Sequence, residues 1–245
     1  AGVKMGELGT TTFRPPYTPL TFGTIVGRNV GEYFDTFRRT PMNDWHIENK
    51  AEFENVGQWK RAWYYPKNNE TMHDAVQRES KAARNSAGIL DASTLGKIDI
   101  QGTDASEFLN RVYTNAWSKL AIGKCRYGLM LNEDGMVYDD GVTTRLDENH
   151  YIMTTTTGGA ANVLGKLEDY LQTEWPELDV YLSSVTDHYA TASICGPNSK
   201  KILNKLIPDL DLSDEGFPHM SFKNAKINNI KCRIMRISFT GEHSY

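Results

Sequence analysis

Apolar residues recur every three or four positions in three stretches of the chain, which is the pattern of a helix with one buried face. These helices are predicted after Gly102, from Ala160 and after Gly196. A further helix is predicted from Thr71 to about Asn85, because Thr71 can cap it and an acidic first turn suits the helix dipole. The apolar positions that define the first three helices are Phe108, Leu109, Val112 and Tyr113; Val163, Leu164, Leu167 and Leu171; and Ile202, Leu203, Leu206 and Ile207.

Alternating or β-branched segments lie between these helices and predict strands. They cover residues 97–101, 126–131, 136–141, 151–155, 180–184, 189–194 and 231–239. Strands and helices are mixed and their connections are short, so the predicted class is α+β, with mixed antiparallel sheets and packed helices.

Residues 126–141 predict a hairpin whose turn is closed by Gly135 and whose second strand ends on Asp139 and Asp140. Carboxylates at the terminus of a rigid strand can meet a ligand and serve general acid/base chemistry. The alternative is that one carboxylate caps a turn while the other is solvated.

Residues 1–69 differ from the rest of the chain. Prolines at 15, 16 and 19 exclude a helix there, and the many aromatic residues that follow are too numerous for a disordered linker. We therefore predict an aromatic-rich, extended N-terminal segment (residues 1–69) that lies over this domain or over a partner, followed by one domain (residues 70–245).

Composition and charge disfavour some partners and some kinds of site for this chain. The 245 residues carry a net charge of −4 without a basic stripe, so nucleic acid is not an expected partner. No apolar run reaches the roughly 18–20 residues of a membrane span, and a cytoplasmic location fits best. The three cysteines are widely spaced and the six histidines form no ligand pattern, so we expect neither a disulfide framework nor a metal site. Both termini are expected to be cut from a longer polypeptide.

Hydroxyls and glycines fill residues 154–159, between a predicted strand and a helix. Such a segment can hold an anion or a polar ring at the helix start. A well-capped helix entry is the favoured interpretation, since neither a P-loop nor a dinucleotide-binding glycine motif is present.

Five short blocks occur in the order found in the folate-dependent aminomethyltransferases, the glycine-cleavage T-protein family. They are residues 90–97, 108–115, 127–141, 195–199 and 239–242. The resemblance implies an aminomethyltransferase-like, folate-binding α+β domain in residues 70–245, truncated at its C-terminal end.

Residues 53–61, 91–98, 123–131 and 154–157 more closely resemble the alpha subunits of heterotetrameric sarcosine oxidases, and Thr94 and Leu95 stand where the T-protein has His-Met. This implies a tetrahydrofolate-binding domain. In those enzymes sarcosine is oxidised to glycine with oxygen as acceptor, and the one-carbon imine is captured as 5,10-methylenetetrahydrofolate. FAD, FMN and NAD would lie outside these residues, the partners would be the other sarcosine oxidase subunits, and this chain alone would not oxidise sarcosine.

By the same resemblance, Asp139 is the catalytic aspartate near the folate nitrogens, Glu242 anchors the pterin, and Tyr127 lines the pocket. The remaining expected cofactor-binding residues are Leu95, Thr155, Thr156 and Phe239. A carboxylate such as Glu242 can accept two N–H donors from the pterin edge. Two other functions stay open: an interaction module of the same fold that binds no folate, and an aminomethyltransferase acting on a carrier-bound aminomethyl group.

Overall fold

A five-stranded antiparallel sheet forms the centre of the protein. The computed structural model describes residues 22–25 and 36–245. The strands are β5 (Gly96–Gln101), β6 (Cys125–Leu131), β7 (Val137–Asp147), β8 (His150–Thr155) and β9 (Tyr181–Ser184), in the spatial order β6-β7-β8-β5-β9. The pairing of β6 with β7 confirms the predicted hairpin. Polar residues and Gly135, which has a positive φ, form its turn.

The expectation that the second hairpin strand ends on Asp139 and Asp140 is wrong. Strand β7 continues to Asp147, so the two carboxylates lie near its beginning. The β-branched residues Val142, Thr143 and Thr144 favour this continuation. Both carboxylates still lie at one end of the central sheet, beside the end of β8.

Two helices cover one face of the central sheet. Helix α4 (Ala105–Val112) and helix α5 (Ala160–Asp169) pack on Ile98, Met130 and Met153, and we call this side the helix-covered face. Phe108 and Leu109 are fully buried there, which stabilises the fold by about 1.5–3 kcal/mol for each side chain. The opposite side carries Tyr127, Val142, Thr154 and Lys97, and we call it the Tyr127 face.

Smaller layers surround this centre. Helix α3 (Met72–Asn85) begins with the predicted Thr71 cap, which forms a capping box with Asp74. Strand β4 (Gly88–Asp91) pairs with β10 (Ala192–Cys195), and Tyr245 in turn pairs with Ile194 of β10. The remaining elements are β11 (Ser221–Ile227), β12 (Ile230–Arg236) and α6 (Ser199–Leu206), which enclose a second core around Phe217.

Residues 36–69 of the aromatic-rich segment are folded against the rest of the chain. Residues 36–64 form β1 (Arg38–Arg39), α2 (Asn43–Glu48), β2 (Glu52–Val56) and β3 (Trp59–Tyr64), and the described residues 22–25 form the short helix α1 (Phe22–Ile25). Arg38 pairs with Asp187 at 2.8 Å and His46 pairs with buried Asp91 at 2.9 Å. These contacts replace the extended conformation expected for this part, while the proline-rich residues 14–19 lie outside the described ranges.

Candidate ligand site at one end of the central sheet

The adjacent carboxylates of β7 lie on opposite faces of the sheet. Asp139 is paired in register with Met130, and Asp140 is paired with Leu129. Side chains alternate along a strand, so Asp139 shares the helix-covered face with Met130 while Asp140 shares the Tyr127 face. The two groups therefore cannot have the same surroundings.

A β-bulge decides which carboxylate is on which face. Leu131 pairs with Val137, but the next residue, Met130, pairs with Asp139, so Tyr138 is the extra residue of β7. An unbroken ladder from the turn would have paired Leu129 with Asp139. One inserted residue exchanges the two faces for every following side chain.

Asp139 is almost completely buried and is bound by the loop that enters α5. Its carboxylate accepts a hydrogen bond from the Thr156 hydroxyl at 2.6 Å and another from the Thr156 N–H at 3.2 Å. Burial raises the pKa of the Asp139 carboxyl, although both hydrogen bonds oppose that shift. A Cβ added at Gly159 would lie 2.8 Å from the Asp139 carboxylate, so only glycine fits there. Asp139 thus holds the loop before α5, which agrees with one half of the alternative interpretation, whereas Asp140 is not simply solvated because it accepts a hydrogen bond from Tyr127.

Asp140 forms a pair with Tyr127 on the other face. The Tyr127 hydroxyl donates a hydrogen bond to the Asp140 carboxylate at 2.8 Å, and this bond raises the pKa of Tyr127. The Tyr127 side chain is 49% exposed and Asp140 is half-buried. A carboxylate held by a tyrosine at the edge of solvent is a group that can exchange a proton with a bound ligand.

Three more of the predicted residues lie at the same end of the sheet. Leu95 is half-buried and directly precedes β5, whose first residue, Gly96, pairs with Thr155. Thr155 is buried, and its hydroxyl donates to the Thr156 carbonyl at 3.0 Å, so this hydroxyl faces the interior. Thr156 is exposed, but its hydroxyl is engaged by Asp139.

Glu242 lies beside the β4–β10 layer and has one oxygen without a partner. Its Oε1 lies 2.8 Å from the guanidinium of Arg84, and the side chain is 10% exposed. Its Oε2 is buried without any hydrogen bond. A hydrogen bond from Thr240 lowers the pKa of Glu242, and the Arg84 charge adds to this effect, so the carboxylate is ionised.

The strand that precedes Glu242 in the chain, β12, contacts the central sheet. Met235 of β12 lies 3.9 Å from the Thr144 hydroxyl, and Thr144 points to the same face as Tyr127. The chain then passes the 92% exposed Phe239 before it reaches Glu242. This contact is on the side of the sheet that holds Asp140, whereas the Glu242 side chain itself lies beside Arg84 of α3.

Sequence reasoning missed two buried polar groups near this site. The Lys97 ammonium donates to the carbonyls of Ser93 and Leu95, and burial lowers its pKa to about 8. His46 bridges Asp91 and Tyr65. Lysine at an alternating strand position predicts a solvent-facing side chain, so the sequence contained no signal for the burial of Lys97.

The described residues show neither a metal cluster nor a membrane-spanning helix. In residues 22–25 and 36–245, no three His, Cys, Asp or Glu side chains are grouped as metal ligands would be. Within those same ranges, no helix has the length and apolar character needed to cross a bilayer.

Comparison with known proteins gives a consistent set of relatives. The sequence model of the GCVT N-terminal domain matches residues 42–245, and so begins inside the predicted N-terminal segment. The chain is 56% identical over 240 residues to sarcosine oxidase subunit alpha from Corynebacterium sp. (strain P-1), covering 98% of this chain and 25% of that protein. It is 48% identical to the subunit alpha from Rhizobium meliloti (strain 1021), again over 25% of its length. The chain thus spans about a quarter of these relatives.

More distant relatives share the fold. An aminomethyltransferase from Thermotoga neapolitana is 28% identical over 85% of this chain and 53% of its own length. The crystal structure of aminomethyltransferase T of the glycine cleavage system from Bartonella henselae superposes with a TM-score of 0.70 at 23% identity, covering 85% of this chain and 52% of that one. This likeness confirms the predicted aminomethyltransferase-like α+β fold.

Proposed function

Because the chain belongs to the family of the GCVT N-terminal domain, we propose that it is the tetrahydrofolate-binding part of a sarcosine oxidase alpha subunit. The similarity to two such subunits over nearly the whole chain supports this. In the complete enzyme, sarcosine is oxidised to glycine with oxygen as acceptor, and the one-carbon imine is transferred to tetrahydrofolate. FAD, FMN and NAD bind to other parts of that enzyme, and its other subunits are the partners of this chain.

The unpaired oxygen of Glu242 is the observation on which the proposal depends most. A carboxylate oxygen that is shielded from solvent and has no hydrogen-bond partner is unfavourable unless a ligand supplies donors. The edge of a pterin presents adjacent N–H groups that match one carboxylate. Glu242 would hold this ring, with Arg84 fixing the carboxylate from its other side.

The geometry favours Asp140 over Asp139 as the acid/base group. Bound tetrahydrofolate supplies a nucleophilic nitrogen, and the protein must accept the proton that this nitrogen loses. Asp140 lies on the sheet face that α4 and α5 do not cover, and Tyr127 fixes its carboxylate. Asp139, to which the sequence analysis assigned this role, is buried on the other face and would hold the Thr156 loop instead.

The remaining groups would orient the ligand. Leu95 and the exposed ring of Phe239 offer apolar contact area, and Thr156 lies beside Asp139. Thr155 contributes through packing, since its hydroxyl faces the interior. Holding two reactants in the correct geometry supplies up to about 7–11 kcal/mol, whereas one acid/base group contributes roughly 10²–10⁴ in rate. We therefore expect orientation to dominate.

The proposal is tested by titrating the full-length protein with tetrahydrofolate under anaerobic conditions. Glu242→Gln should weaken binding about tenfold or more, because the amide replaces one acceptor by a donor. Glu168→Gln, an exposed change on α5, should bind like the wild type and is the matched control. If the wild type does not respond to millimolar tetrahydrofolate, the chain is an interaction module and the proposal fails.

A further inference from the structure

We propose that Lys97 is a positioning residue for the tetrahydrofolate site. Its amine ties the carbonyls of Ser93 and Leu95 together and thereby fixes the loop that presents Leu95. This inference rests on the proposed function, because Leu95 is one of the groups expected to contact the ligand.

The loop of residues 92–95 is braced at every residue. The Leu95 N–H donates to the Ala92 carbonyl at 3.3 Å, which closes a tight turn. The Ser93 N–H donates to the Asp91 carboxylate at 3.0 Å, and the Thr94 hydroxyl bonds to that of Thr157 at 2.9 Å. A loop held this rigidly presents its one partly exposed large side chain, Leu95, in a defined place.

Lys97 supplies two further hydrogen bonds that hold the loop of residues 92–95. It lies on the Tyr127 face opposite Thr154 and is 4% exposed. Its amine donates to the Ser93 carbonyl at 3.1 Å and to the Leu95 carbonyl at 2.9 Å. Without this side chain, both carbonyls would lose a donor that water cannot easily replace, and the Leu95 backbone would be free to turn.

The charged groups around Lys97 allow a positioning role to be separated from a direct charge effect. Asp91 from β4 and Asp187 from the turn before β10 attract the ammonium, while Asp91 is also bound by His46 and Asp187 by Arg38. Burial nevertheless lowers the pKa of Lys97 to about 8. A neutral amine keeps two N–H donors, which is enough for two carbonyls. Positioning therefore survives deprotonation, whereas attraction of an anionic folate by the ammonium charge would not.

The test compares substitutions at Lys97 in the full-length protein by two measurements: the Kd for tetrahydrofolate and the hydrogen exchange of the amides of residues 92–95. Lys97→Met should raise the Kd about tenfold and accelerate that exchange, because two buried carbonyls are left unpaired. Lys97→Arg keeps the donors and should restore the Kd to within about threefold. Ile98→Val, a neighbouring change on the helix-covered face, should leave both readouts near the wild type.

Three results would overturn the inference. Lys97→Met could bind tetrahydrofolate and exchange these amides like the wild type. Ile98→Val could weaken tetrahydrofolate binding as much as Lys97→Met does while lowering thermal stability by the same amount, which would make the effect merely structural. The wild-type affinity could fall as the pH passes 8 while that of Lys97→Arg stays constant, which would assign the effect to charge. Absence of any tetrahydrofolate binding by the wild type would instead refute the proposed function, and the exchange measurement would still test the loop.

Discussion

The hydroxyl of Tyr127 donates a 2.8 Å hydrogen bond to Asp140, on the face of the central sheet that Asp139 does not share. The pair joins two neighbouring strands, so its geometry is set by the sheet and not by a loop. This places one half-buried acid/base group beside the exposed ring of Tyr127, where a ligand on the Tyr127 face can reach it.

Tyr127→Phe removes the hydrogen bond to Asp140 and keeps the ring. The bond orients the Asp140 carboxylate, so one-carbon transfer in the full-length enzyme should slow roughly threefold to tenfold. The measurement is the rate of methylenetetrahydrofolate formation at saturating sarcosine. Tyr181→Phe, an exposed change on β9, serves as the control and should leave that rate unchanged.

Asp139→Ala should act mainly on stability. It removes the acceptor of two hydrogen bonds, from the Thr156 N–H and hydroxyl, each of which contributes about 0.5–1.5 kcal/mol, so the free energy of unfolding should fall by about 1–3 kcal/mol. Urea unfolding of the full-length protein measures this loss, with the exposed change Glu168→Ala as the control. An unchanged unfolding midpoint would contradict the capping role of Asp139.

His46→Leu should destabilise the contact between α2 and β4. It removes the His46 hydrogen bond to the buried Asp91 carboxylate, which keeps the Ser93 N–H, and a hydrogen bond to a charged group contributes about 1.5–3 kcal/mol. The matched control is His73→Leu on the exposed side of α3, which should change the unfolding free energy by less than about 0.5 kcal/mol. Equal effects of the two substitutions would show that the His46–Asp91 pair does not hold residues 36–64 against β4.

The stability contribution of Lys97 should depend on pH in a defined direction. Its pKa falls from 10.5 to about 8 on folding, so the unfolded chain binds more protons between these values. The contribution of Lys97 to the free energy of unfolding should therefore rise between pH 8 and pH 10.5, by about 3 kcal/mol at most. It should be lost as the pH falls through 8. The quantity to measure is the difference in unfolding free energy between wild type and Lys97→Met at pH 7 and pH 10. A constant difference would contradict the burial of the amine.

Local patterns were sufficient to predict much of the fold. The turn at Gly135 between apolar strands gave the β6–β7 hairpin, and Thr71 with Asp74 marked the start of α3. The short strands of the β4–β10 layer and of residues 36–64 were not predicted with their partners. These strands are stabilised by pairing with residues far away in sequence, which leaves little periodicity to detect.

The face of each carboxylate could not be predicted, because it depends on the bulge at Tyr138. Alternation alone shows that Asp139 and Asp140 point in opposite directions. Which of them joins Tyr127 is fixed by one extra residue in β7, and no residue type near Met130 or Tyr138 marks a bulge. The burial of Lys97 could not be predicted either, because it depends on the layer formed by β4 and the loop that follows it.

The central claim is that Asp140, and not Asp139, handles the proton of the one-carbon transfer. The most direct measurement is the yield of methylenetetrahydrofolate per sarcosine oxidised, in full-length enzyme carrying Asp140→Asn or Asp139→Asn. We expect Asp140→Asn to slow methylenetetrahydrofolate formation about 100-fold while sarcosine oxidation stays within about twofold of wild type, and Asp139→Asn to retain most of the transfer. Loss of transfer in Asp139→Asn together with normal transfer in Asp140→Asn would contradict the account.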